Sequence, residues 1–124
     1  MTAAVTPVVA VWVDGALYFG SGPGEQKSKN LAANRHCAVT TGCNNNWNQG
    51  FDIVLHGEAV IVHDLPLLQH VVHAFSAKYG DDWAFEVTDD GTFRGPSLVY
   101  QLIPEQALGF GKGPFSHTRW DFTA

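Results

Sequence analysis

The sequence predicts a mainly β domain with flanking helices, and three observations lead there. Apolar and polar residues alternate over short runs bounded by Gly, Pro and Asp, the pattern of half-buried strands. One stretch, 64–79, instead repeats its apolar residues at helical spacing. Repeats and linkers are absent, so residues 1–124 read as a single domain whose β-rich content favours a barrel covered by helices.

Six β-like segments can be taken in order. Residues 7–13 and 16–21 flank Asp14-Gly15, a two-residue signal for a tight hairpin. Residues 36–42 form a short strand around Val39, Thr40 and Thr41. Residues 52–62 alternate, with Ile53, Leu55, Ala59 and Ile61 on one face and His56 and Glu58 on the other. Gly57 in their middle predicts a bulge or bend there. Residues 97–103 and 107–111 complete the set, split by Pro104, which interrupts a ladder.

Two helices interrupt these strands. Residues 25–33 are short and cationic, entered through Gly22-Pro23-Gly24 and closed near Asn34. Residues 64–79 are the stronger helix. Asp64 is a good N-cap, Pro66 falls in the first turn, and Gly80 is placed to end it. Leu65, Leu68, Val72, Phe75 and Tyr79 are expected to face the core.

Composition narrows the function. The chain is 45% hydrophobic and 15% charged, enough for one packed core and unlike a disordered segment. A formal net charge of −5 argues against a nucleic-acid partner. No apolar run reaches the roughly 20 residues of a membrane span, and the N-terminus lacks the basic region of a signal peptide. A cytoplasmic protein is expected. The two cysteines, Cys37 and Cys43, fit neither a disulfide scaffold nor a CxxC pair.

Candidate chemistry concentrates in two places. The first runs from Tyr18-Phe19-Gly20-Ser21 to Lys29-Asn30-Leu31. A strand ends in a hydroxyl, glycines open a turn, and Lys27 and Lys29 follow on a short helix. Such a turn can offer backbone N–H groups, a hydroxyl and ammonium groups to a phosphate. A solvated cationic helix after a Gly-Pro turn fits the same residues. The second place is the Gly-rich tail 110–120, which carries Phe115, His117, Arg119 and Trp120. It is expected either to pack along the barrel or reach across a dimer, or simply to dock Trp120 and Phe122 on its own domain.

A metal site is not expected. His70 and His73 lie at i, i+3 on the long helix after His63, with no HExxH pattern and no matching carboxylate or thiol. Asp81, Asp82, Asp89 and Asp90 lack the closing glutamate of an EF-hand loop. Cys37 has only the adjacent His36 to activate it, and no GxSxG is present.

Taken together, the segments resemble the pyridoxamine 5′-phosphate oxidase-like family, the flavin-binding split barrels, most closely the branch of deazaflavin (F420)-dependent reductases. The resemblance lies in Thr6-Pro7-Val8-Val9-Ala10-Val11-Trp12-Val13-Asp14-Gly15, in Ala16-Leu17-Tyr18-Phe19-Gly20-Ser21, and in Lys27-Ser28-Lys29-Asn30-Leu31. It continues through Lys78-Tyr79-Gly80 and Phe115-Ser116-His117-Thr118-Arg119-Trp120. It implies a six-stranded split β-barrel paired as a homodimer, with cofactor sites at the interface. It also implies that Lys27 and Lys29 hold the phosphate of FMN or F420, helped by Ser21 and the backbone at Gly22. The strand containing Val9 and Trp12 would run beside the ring, and Arg119 and Trp120 would lie near the site. Relatives carry a helix and a full strand before the segment matching Thr6, so a shortened N-terminal strand is expected here.

The implied function is a flavin- or deazaflavin-binding oxidoreductase that moves a hydride between cofactor and a small organic substrate, with no catalytic residue assigned. The alternative is a non-catalytic binder or sensor of a flavin, haem or another tetrapyrrole. A dimer whose ancestral site has decayed is the third possibility.

Overall fold

A computed structural model describes residues 7–41, 50–80 and 98–122 of the chain. Cys43, the polar loop 44–48 and the acidic residues 81, 82, 89 and 90 lie outside the described residues, as do residues 1–6, where the shortened strand was expected. The elements are β1 (Ala10–Val13), β2 (Ala16–Ser21), α1 (Gln26–Ala33), β3 (His36–Thr40), β4 (Phe51–Ile61), α2 (Leu65–Tyr79), β5 (Leu98–Gly111) and β6 (Ser116–Asp121).

All strand pairs are antiparallel, in the order β1-β2-β5-β4-β3, with β6 also on β5. The sheet is open. Asp14 (φ 48°) and Gly15 (φ 85°) make the expected turn between β1 and β2, both with the positive φ of a two-residue hairpin.

β5 organises the sheet. One edge pairs with β4 from Tyr100 to Gly111. The other edge is shared: β2 takes Leu98 to Leu102, and β6 takes Gln106 to Gly111. Ile103, Pro104 and Glu105 pair with neither, so β2 and β6 separate there along a seam.

One expectation is corrected at this strand and one is met. Pro104 does not split it, because Pro104 sits at a bulge, where a missing N–H is tolerated. Gly57 marks that bulge, but the extra residue belongs to β5. Gly57 pairs with Pro104 and His56 with Gln106, which leaves Glu105 without a partner in β4. The extra residue also resets the side-chain alternation. Leu102 and Ala107, an odd number of positions apart, both face the same core.

The tail packs along the sheet, one of the placements expected for it: residues 116–121 form a strand on β5, so the sixth strand is β6 and the fifth is the whole of β5. Gly113 (φ 65°) helps turn the chain back between them.

Each sheet face has its own core. Val11, Ala16, Tyr18, Val62 and Val99 pack against Leu68, Val71 and Phe75 of α2. Phe19, Leu55, Ala59, Tyr100, Leu102 and Ala107 form the other core with Leu31 of α1. There the Phe19 and Tyr100 rings stack with centroids 5.4 Å apart.

α2 begins as expected, the Asp64 carboxylate accepting the Leu67 N–H at 3.0 Å with Pro66 in the first turn. Its buried stripe is Leu68, Val71 and Phe75. Val72 and Tyr79 pack partly buried against the same core, as expected, whereas Leu65 is exposed. Its last turn is tied to β1: Tyr79 Oη and Lys78 Nζ both donate to the Ala10 carbonyl, at 2.6 and 3.2 Å.

Candidate functional site

The candidate site grows from the junction of β2 and α1. Ser21, the last residue of β2, is buried, and strand alternation points it toward α1 together with Leu17 and Phe19. Ser28, buried on α1, donates to the Ser21 hydroxyl at 2.6 Å. This hydroxyl pair locks the first turn of α1 over the end of β2.

Between them, Gly22-Pro23-Gly24-Glu25 forms a turn closed in both directions. The Glu25 N–H donates to the Gly22 carbonyl at 3.0 Å. The Gly22 N–H donates to Glu25 Oε2. Lys27 Nζ reaches the other oxygen, Oε1, at 2.8 Å. One carboxylate therefore collects a backbone amide and an ammonium. The Lys27 bond, then the Gly22 bond, hold the Glu25 carboxyl below its ordinary pKa of 4.5.

The two lysines do not act alike. They stand either side of buried Ser28, about 160° apart around the helix axis at 3.6 residues per turn. Lys27 packs toward the turn and its side chain is only 20% exposed. Lys29 is exposed on the other flank and has no ion-pair partner among the described residues.

Trp12 stands on the α1 face of β1. It pairs with Leu17, whose side chain joins the α1-side core, yet the indole is 52% exposed. Val9 precedes β1 and is exposed.

Across the seam, β6 carries the remaining predicted residues on opposite faces. Trp120 pairs with Ala107 on the α1 face and meets Phe51 edge to face, ring centroids 6.5 Å apart. Arg119 is on the other face, its Nη2 donating to Asp121 Oδ2 at 3.2 Å. The geometry brings Ser21, Gly22 and Lys27 together, and sets Trp12 and Trp120 on their face. It separates Lys29 and Arg119 from them.

Sequence reasoning missed Glu25 and Ser28. The available signal for Glu25 was a carboxylate three residues after a turn glycine, the spacing at which a side chain reaches back to a free N–H. Ser28 is a small polar residue on the buried stripe of a short helix.

Other candidate chemistry is weaker. Cys37 is half-buried, and burial pushes its thiol pKa up from 9.0, away from the thiolate. No group of three metal-ligating side chains is assembled among the described residues. No helix among them is long and apolar enough to cross a membrane.

No known sequence family matches the chain, and no curated protein does. Solved structures do. A candidate 5-nitroimidazole antibiotic resistance protein of Bacteroides thetaiotaomicron superposes with a TM-score of 0.66 at 19% identity, over 86% of this chain and 67% of its own. A heme binding protein of Mycobacterium smegmatis gives 0.65 at 13% identity, over 92% of this chain. An FAD-binding protein of Mesorhizobium loti gives 0.61 at 25% identity, over 86% of this chain and 75% of its own.

The fold is split-barrel-like.

Its open sheet, with β2 and β6 parting along one edge of β5, gives that description its physical content. The chain spans 45% of the length of the heme binding protein, so the likeness covers under half of that molecule.

Proposed function

We propose that this chain binds a flavin-type cofactor on the α1 face of the sheet and works as an oxidoreductase on a small organic substrate. The observation that carries this reading is the convergence of the Gly22 N–H and Lys27 Nζ on a single carboxylate. Donors arranged to hold a carboxylate are the donors a terminal phosphate needs. The residues therefore fit the terminal phosphate of FMN, and the same N–H and ammonium can meet the phosphodiester of F420, so they do not by themselves select one.

Ser21 and Ser28 fix the helix that carries Lys27, and exposed Trp12 offers an apolar wall on the same face for a tricyclic ring. When bound, the cofactor supplies the hydride chemistry. The chain's part is to hold the phosphate, flank the ring and keep water from one side of it. The structural likeness to proteins described as FAD-binding and heme binding supports a cofactor on this fold.

The proposal extends to a homodimer. Val8, Ile61, Ile103, Phe115 and Phe122 are exposed large apolar side chains that a second copy could cover. Light scattering at micromolar concentration should give twice the chain mass of 13.5 kDa.

The deciding experiment is the absorbance spectrum of the purified protein, followed by fluorescence titration with FMN and with F420. Saturable binding of one of them, weakened when Lys27 becomes Ala, is the expected result. Binding of neither removes the cofactor reading. A Soret band in place of a flavin spectrum turns the assignment to a tetrapyrrole binder, the reading that the heme binding neighbour favours.

A further inference from the structure

We infer that the Glu25 carboxylate is an internal occupant of the phosphate cradle, which a phosphate-bearing cofactor must displace. The inference rests on the reading of the turn 21–27 as the phosphate site.

Three observations lead to it. The carboxylate takes the two donors that the phosphate would take, Gly22 N–H through Oε2 and Lys27 Nζ through Oε1. The turn does not depend on that side chain, because it is closed by the Glu25 N–H to Gly22 carbonyl bond and braced by the Ser28–Ser21 pair. The Glu25 side chain is 55% exposed, so no packing holds it in place. It is free to swing into solvent when a better anion arrives.

The charges explain why a phosphate wins and a neutral flavin does not. With Glu25 in place, its charge cancels that of Lys27 and leaves Lys29 as the local excess. The phosphate monoester of FMN carries up to two negative charges and three acceptor oxygens, and so outcompetes a monoanion for the same donors; the phosphodiester of F420 carries one charge and gains less. A flavin without a phosphate gains nothing from displacing it. Glu25 thus lowers the affinity for phosphate-bearing cofactors and leaves the ring's own affinity unchanged. It sets how much of the binding energy the phosphate contributes.

The test compares cofactors with and without the phosphate: FMN against riboflavin, and F420 against its phosphate-free deazaflavin. Wild type, Glu25→Gln, Glu25→Ala and Lys27→Ala are titrated with each, and thermal unfolding confirms that every variant folds. Glutamine keeps the size and the Gly22 bond but frees Lys27.

Both Glu25 variants should bind the phosphate-bearing cofactor about threefold tighter or more, an effect scaled for a partly exposed ion pair. Their affinity for the phosphate-free partner should stay where it was. Wild type that prefers the phosphate-bearing cofactor, with Glu25→Gln binding it no better, overturns the inference and leaves the site standing. Wild type that binds neither cofactor of a pair, or binds both alike with Lys27→Ala changing nothing, overturns the site reading and this inference with it.

Discussion

Gly57 lies directly beneath the carbonyl of Ile103, so close that a Cβ at position 57 would collide with the carbonyl oxygen and crowd a Leu102 methyl. The contact falls at the bulge where β5 bends around Pro104. A backbone atom cannot swing aside as a side chain does. Gly57→Ala should therefore destabilise the fold by about 2 kcal/mol, within the range of overpacked cores. Urea unfolding reads this as a lower midpoint with an unchanged slope. An unchanged midpoint would mean that β4 and β5 can part there without cost.

The hydroxyl pair at the head of α1 makes a second prediction. Ser28→Ala removes the 2.6 Å bond to the buried Ser21 hydroxyl, whose own bond to the Gly22 carbonyl is a long 3.4 Å. The expected loss is about 1 kcal/mol, the usual net worth of one hydrogen bond. A loss of that size in Ser28→Ala, and a smaller one in Ser28→Thr, would identify the hydroxyl rather than the volume as the cause. Equal losses would point to packing instead.

What the sequence disclosed follows from where burial and backbone chemistry agree. The Asp14-Gly15 hairpin and the Asp64 and Gly80 ends of α2 were legible because each rests on a local rule that nothing distant overrides. The continuity of β5 was not, since a proline reads as a break unless one knows that a bulge receives it. Nor was β6, every residue of which is exposed, so no alternation marks it as a strand. At the site, spacing and resemblance singled out Ser21, Gly22 and Lys27. The same spacing grouped Lys29 with Lys27 and Arg119 with Trp120, although a helix and a strand set each pair apart. Glu25 stayed hidden because its role depends on a side chain folding back over a turn.

That separation of the lysines is itself testable. Lys27 shares the turn with Gly22, whereas Lys29 projects from the opposite flank. Under the proposed function, Lys27→Ala should weaken binding of the phosphate-bearing cofactor by about tenfold, the scale of one charge-assisted hydrogen bond. Lys29→Ala should change it by about twofold or less, through long-range charge alone, and that smaller effect should fade in salt. Equal effects would require α1 to shift when the cofactor binds.

The last prediction concerns the protonation of Glu25 in the protein alone. Its carboxyl is held below 4.5, first by the bond from Lys27, then by the Gly22 N–H and the charge of Lys27, with burial opposing slightly. A depressed folded value means that the unfolded chain takes up this proton at a higher pH than the folded one. The stabilisation from this pairing is therefore present above the unfolded value and disappears as pH falls through the folded one. Near neutral pH the carboxylate is charged and in place; in acid it lets go of both donors. An NMR titration of the Glu25 side-chain carboxyl should give a midpoint under 4.5, and Lys27→Ala should move it upward because the largest cause is removed. A midpoint that ignores Lys27 would mean the ion pair does not persist in solution, and the cradle would then be open to an anion without any displacement.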